Sequence, residues 1–164
     1  MVTIERSREL VAGLKEAGVD LVASVPDINL VELISLLAED GGIRHVPVGR
    51  EEEGIGVCTG AYLGGKRPAM LMQNAGLLNS CNGITTTALQ FGIPILLLVY
   101  YAGDMGDNAF HTLGLVTEPV LQGLGLKYSV LRDPSTVKKD VAGAMSICHA
   151  AKRPVALLLS RDVL

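Results

Sequence analysis

The sequence predicts an α/β fold: a doubly wound parallel sheet of about six strands with helices on both faces, in a single domain spanning 1–164. Three observations predict it. Segments of helical periodicity alternate along the chain with short β-branched or apolar runs, the pattern of a parallel sheet with crossover helices. The run 93–100 is apolar almost throughout, as a strand covered on both faces must be. Glycine, proline and asparagine mark nearly every junction between the two kinds of segment.

Taken in order, residues 4–17 place Ile4, Leu10, Val11 and Leu14 on one helical face, and Gly18 ends that helix. Val19 to Val25 is a β-branched strand that stops at Pro26-Asp27. Asn29 can cap a helix running to about Ala38, with Leu30, Leu33, Ile34 and Leu37 inward. Gly41-Gly42 breaks it, and 43–48 reads as a second strand. Glu51 to Leu63 suits a helix with acidic residues in its first turn, where the helix dipole favours them. Its small residues (Gly54, Gly56, Cys58, Gly60, Ala61) allow another backbone to come close. Ala69 to Gln73 is a third strand, Asn74 to Asn79 a polar corner, and a Thr-rich helix runs through Leu89. The apolar fourth strand, a flexible loop over 101–114, and a short helix over 115–124 follow. A strand at 126–131, a helix at 135–151 and a strand at 154–159 complete the series.

In such sheets ligands sit beyond the carboxyl ends of the strands. That rule selects Pro26-Asp27, Gly49 to Glu53, Gln73 to Asn79, and Tyr100 to His111. Composition narrows the chemistry. Net charge is −3 and no basic cluster exists, so nothing offers to neutralise the phosphates of a nucleic acid or a membrane surface. The apolar run at 93–101 is too short to span a bilayer, and the first ten residues lack the apolar core of a signal peptide. Three widely spaced cysteines, with no CxxC pair, suggest neither a disulfide framework nor a zinc site and suit a reducing cytoplasm. GxGxxG, GxxxxGK[ST] and GxSxG are all absent.

Four groups could carry chemistry. Arg50-Glu51-Glu52-Glu53 is either a solvated first helical turn or contains one partly buried carboxylate suited to proton exchange. Gln73 to Asn79 is either a capped helix start or a corner offering amides to a polar ring. Gly103-Asp104-Met105-Gly106-Asp107-Asn108 resembles a metal or diphosphate loop only superficially, because the acidic ligands and spacing fail. No metal ligand is assigned. His45 and His149 fall inside regular elements and read as structural, whereas His111 is either a surface residue or a proton donor or anion contact.

The ordered series Val25-Pro26-Asp27, Gly49-Arg50-Glu51-Glu52-Glu53-Gly54-Ile55-Gly56, Gly60-Ala61-Tyr62, Gly65-Lys66-Arg67-Pro68 through Gln73-Asn74-Ala75-Gly76-Leu77-Leu78-Asn79, and Gly92-Ile93-Pro94 through Val99 resembles the pyrimidine-binding domain of thiamine-diphosphate decarboxylases. It is most like the α subunit of sulfopyruvate decarboxylases and the amino-terminal part of phosphonopyruvate decarboxylases, and the resemblance covers nearly the whole chain. In that family a glutamate opens its helix nine residues before a glycine, and counting back from Gly60 gives Glu51. The resemblance implies that Glu51 hydrogen-bonds N1′ of the aminopyrimidine and so promotes loss of the thiazolium C2 proton. It implies that Pro26, Gln73, Gly76 and Asn79 line the cofactor or substrate side, and that His111 lies where relatives contact substrate.

Tyr101-Ala102-Gly103 stands where phosphonopyruvate decarboxylases carry Trp-Arg-Gly, so their anion-binding arginine is missing at that point. The Gly-Asp-Gly…Asn motif that holds Mg2+ and the diphosphate is also missing. The resemblance therefore implies a partner β subunit that carries this motif, a cofactor shared between subunits, and an α2β2 or larger hetero-oligomer. The implied reaction is decarboxylation of 3-sulfopyruvate to sulfoacetaldehyde, a step towards coenzyme M. Another anionic 2-oxo acid such as phosphonopyruvate, a non-catalytic scaffold, or a plain nucleotide-binding domain are the alternatives.

Overall fold

A computed structural model describes residues 2–164, with side chains described from Ile4 onward. Six strands, β1 (Leu21–Ser24), β2 (Arg44–Pro47), β3 (Pro68–Gln73), β4 (Leu96–Tyr100), β5 (Lys127–Leu131) and β6 (Val155–Leu159), form one sheet in the order β2-β1-β3-β4-β6-β5. Every pairing is parallel. The central strands β3, β4 and β6 are buried almost throughout, which is why they read as unbroken apolar runs.

Two cores flank the sheet. On one face α1 (Val2–Glu16), α2 (Val31–Glu39) and α7 (Val137–Ala151) bury Leu10, Leu14, Leu33, Leu37, Val141 and Met145 against Val22, Leu71, Leu98 and Leu157. On the other lie α3 (Glu51–Leu63), α4 (Asn74–Asn79), the short α5 (Cys81–Gly83) and α6 (His111–Gly123). There Ile55, Cys58, Leu77, Ile84 and Leu121 pack on Ala23, Met70, Leu97 and Leu158. Between α5 and β4 the helix widens into a π turn at Ile84–Leu89. The cause is local: the Thr85, Thr86 and Thr87 hydroxyls donate to carbonyls four residues back, competing with the backbone ladder.

Residues 74–79 take the helical of their two readings, as α4, although no side chain caps it. Two sequence expectations need correction. The loop expected over 101–114 ends earlier, because α6 begins at His111. Phe110 makes that turn in the left-handed region at φ 61°, and the Gly103 and Gly114 backbones touch so closely that a Cβ on either would collide with the other. The N-terminal cap near α2 is Asp27, not Asn29: its Oδ1 accepts from Asn29 N at 2.8 Å and opens a 3-10 turn (Ile28–Leu30) that leads into the helix. Among the described residues no helix is long and apolar enough to cross a membrane, and all three cysteines are free thiols.

Candidate active site at the switch point

The chain runs from β1 outward to β2 and then returns to β3 on the other side of β1. The connections therefore diverge at the carboxyl ends of β1 and β3, opening a crevice where ligands bind in folds of this class. Gln73, the last residue of β3, spans it by donating from Nε2 to Asp27 Oδ2 at 2.8 Å. Asp27 can only accept, so the amide nitrogen must face it. Gln73 Oε1 is thereby the atom left for an incoming donor. Pro26 is exposed beside this bridge.

Helix α3 brings the acidic run to the same end of the sheet. Its approach to β3 depends on Gly54, where a Cβ would overlap the Met70 thioether. Cys58, one turn on, is sealed in the same contact, and burial pushes its thiol up to about 12. The three carboxylates then part company. Glu53 Oε2 caps its own helix, accepting from Gly49 N and Arg50 N at 3.1 Å each. Glu52 Oε1 accepts from Asn82 Nδ2 at 3.1 Å, and its methylene packs over Gly83. Glu51 is half-buried, and its carboxylate has no hydrogen-bond partner among the described residues. It lies across Gly76 of α4, where any Cβ would overlap its Cγ and Cδ. Gly76 is thus the seat on which the Glu51 carboxylate rests.

The loop after β4 borders the crevice and is tied down at several points. Asp104 pairs with Arg132 at the end of β5, and Asp107 pairs with Arg161 beyond β6 at 3.1 Å. Asp107 also accepts from Gly103 N and Ala109 N. The flexible cover expected here is therefore a clasped loop. Tyr101 at its start donates to Glu118 Oε1 at 2.9 Å. Burial, with that carboxylate alongside, raises the Tyr101 hydroxyl well above its ordinary value, so it stays a donor.

Of the sequence-predicted residues, Glu51 and Gly76 are in contact, Gln73 closes the switch-point crevice, and Pro26 flanks it. Asn79, at the far end of α4, and His111, at the start of α6, are exposed, and neither side chain is hydrogen-bonded among the described residues. Asp27 and Asn74 fall within segments that the strand-end rule selects, but no sequence signal singles out either side chain for the site. The Asp27-x-Asn29 spacing signals a capping turn, but only the sheet order places Gln73 across from it. An apolar groove of about 250 Å³ between β5 and α7, lined by Lys127, Ile147 and Leu157 among others, lies at the far sheet edge and is remote from this chemistry. Glu51 and its neighbours are partly exposed at the carboxyl end of the sheet.

Residues 5–111 match the family model described as thiamine pyrophosphate enzyme, N-terminal TPP binding domain. The chain belongs to that family. It is 40% identical over 155 residues to the sulfopyruvate decarboxylase subunit alpha of Methanococcus maripaludis, covering 93% of each chain. Identity to the phosphonopyruvate decarboxylase of Streptomyces viridochromogenes is 30% over 162 residues, 94% of this chain and 40% of that one. Among solved structures, the 2-oxoglutarate:ferredoxin oxidoreductase of Magnetococcus marinus superimposes with a TM-score of 0.78 at 14% identity, over 96% of this chain and 29% of that one; this likeness concerns the fold. The residues fit the pyrimidine end of thiamine diphosphate. An unpaired carboxylate lies over a glycine floor, and a neighbouring amide oxygen is oriented by Asp27.

Proposed function

We propose that this chain is the α subunit of a cytoplasmic thiamine-diphosphate decarboxylase that converts 3-sulfopyruvate and a proton to sulfoacetaldehyde and carbon dioxide, a reaction of coenzyme M biosynthesis. The observation that carries the reading is the isolation of the Glu51 carboxylate on Gly76, while Glu52 and Glu53 are spoken for by Asn82 and the helix N-terminus. In this reading all of 1–164 acts as one pyrimidine-binding domain.

Glu51 holds the proton shared with N1′ of the aminopyrimidine. Gln73 Oε1, fixed by Asp27, accepts from a ring or substrate N–H or O–H. Pro26 and Asn79 border the cofactor, and His111 faces the substrate's anionic groups from the start of α6. When bound, the cofactor would supply the electron sink that decarboxylation of a 2-oxo acid requires. A β subunit covers the open side, excludes water from Glu51 and supplies the residues for the diphosphate and Mg2+. The name of the Methanococcus relative, a subunit alpha, supports such a partner.

The test is to assemble the chain with its β partner and assay carbon dioxide release from 3-sulfopyruvate and from phosphonopyruvate, with thiamine diphosphate and Mg2+. Turnover of sulfopyruvate with kcat/KM at least about tenfold above phosphonopyruvate is the expected result. Preference for phosphonopyruvate would move the substrate. No turnover of either by an assembled complex would leave a scaffold.

A further inference from the structure

Asn74 opens α4 and is fully buried. Its Nδ2 donates twice, to Ala102 O at 2.8 Å and to Thr117 Oγ1 at 3.0 Å. Ala102 O can only accept, so the amide nitrogen must face it and the amide orientation is fixed. The Thr117 hydroxyl spends its own proton on Leu113 O at 2.6 Å, so it too must accept from Asn74. The chain Asn74 to Thr117 to Leu113 ends in the first turn of α6, two residues after His111.

This geometry leaves Asn74 Oδ1 buried with no partner among the described residues. An unpaired buried acceptor is unfavourable, and an apolar side chain of the same size would avoid it. The two donated bonds are what the amide contributes. They join three elements: α4, whose Gly76 seats Glu51 two residues on; the end of β4, where the clasped loop begins; and α6, which carries His111. The loop's other ties, Asp104 to Arg132 and Asp107 to Arg161, involve guanidinium side chains 47% and 61% exposed. Solvent weakens such pairs, whereas the Asn74 tie is dry.

We propose that Asn74 is a positioning residue that sets the spacing between the Glu51 seat and the substrate side of the site, the 101–110 loop and the His111 end of α6. The inference rests on the decarboxylase reading above. Loss of the tie should let the substrate side move while leaving Glu51 on Gly76. Substrate capture then suffers and cofactor activation does not.

The test uses the assembled complex carrying Asn74→Asp, Thr117→Val or Thr117→Ser. Asn74→Asp turns an acceptor towards Ala102 O, Thr117→Val removes the relay at nearly constant volume, and Thr117→Ser retains it. For the first two, KM for 3-sulfopyruvate should rise by about tenfold or more, with hydrogen–deuterium exchange at C2 of the bound cofactor changed less than about threefold. Thr117→Ser should stay near the parent. Backbone amide exchange over 103–113, which needs no substrate, should quicken about tenfold in Thr117→Val and not over α1 or α7. Unchanged KM and unchanged amide exchange in Thr117→Val overturn the proposal, as does a fall in C2 exchange as large as the rise in KM. Should Asn74→Asp fail to assemble, Thr117→Val decides. Should the parent complex leave sulfopyruvate untouched, the decarboxylase reading fails instead, and the amide exchange alone judges the tie.

Discussion

The two faces of the sheet are built on different principles. The α1–α2–α7 face uses long, regular helices, two of them 15 residues, and its core is aliphatic. Ion pairs such as Lys138 with Glu9 and Glu16 lie only at its rim. The α3–α4–α6 face uses broken helices: a six-residue α4, a π turn, and an α6 begun by a left-handed Phe110. It buries Asn74, Ser80 and Thr117 and seats backbones at glycine. The first face resembles an optimised scaffold. The second accepts short helices and, among the described residues, two of the three buried side-chain atoms left without a partner, Asn74 Oδ1 and Ser80 Oγ; the third, His149 Nε2, lies near the end of α7 on the first face. Such features weaken a fold and accumulate where a site must be shaped.

Substitutions of like kind on the two faces should therefore separate stability from turnover. The largest effect is expected from Gly76→Ala, whose Cβ overlaps Glu51. Turnover of the assembled enzyme should fall by about 100-fold, with the melting temperature little changed. Its counterpart, Leu14→Ala on the fully buried seam of α1, should cost about 2–5 kcal/mol in urea unfolding while each folded molecule keeps its activity. Loss of activity per folded molecule there would break the distinction between the faces.

Glu53→Ala removes the helix cap but not the unpaired carboxylate, and should cost about 1 kcal/mol of stability with turnover nearly intact. Gly143 lies exposed inside α7, and a Cβ added there would meet no neighbouring atom within 4 Å. Gly143→Ala should therefore stabilise the chain by about 0.5–1 kcal/mol, read as a raised melting temperature. The smallest effect is a pH dependence on the scaffold face. The Lys15 ammonium, donating at 2.8 Å, holds the Asp40 carboxyl below its ordinary value. A depressed folded value means stability that is present above about pH 4 and lost as pH falls through the folded value. Asp40→Asn should flatten that part of the acid unfolding curve; an unchanged curve would remove Asp40 from the acid response.

Much of this contrast was legible in the sequence, but unevenly. The scaffold face was readable because its helices carry plain 3.6-residue periodicity, as Leu10, Leu14, Leu33 and Leu37 do. The site face was harder. Asn74 to Asn79 lacks an apolar stripe long enough to declare a helix, and α6 starts on Phe110 and His111, neither of which is a capping residue. Glu51 could be chosen from its acidic neighbours only through a family spacing; geometry now separates the three by what each carboxylate already binds. The bridge from Asp27 to Gln73 and the tie from Asn74 to Thr117 join residues 46 and 43 positions apart, a pairing that no local pattern encodes.

The most direct test of the account is hydrogen–deuterium exchange at C2 of thiamine diphosphate bound to the assembled enzyme, compared among Glu51→Gln, Glu52→Gln and Glu53→Gln. A fall of about 100-fold or more is expected for Glu51→Gln, with near-parental rates for the other two. A normal rate in Glu51→Gln, or an equal loss in all three, would contradict it.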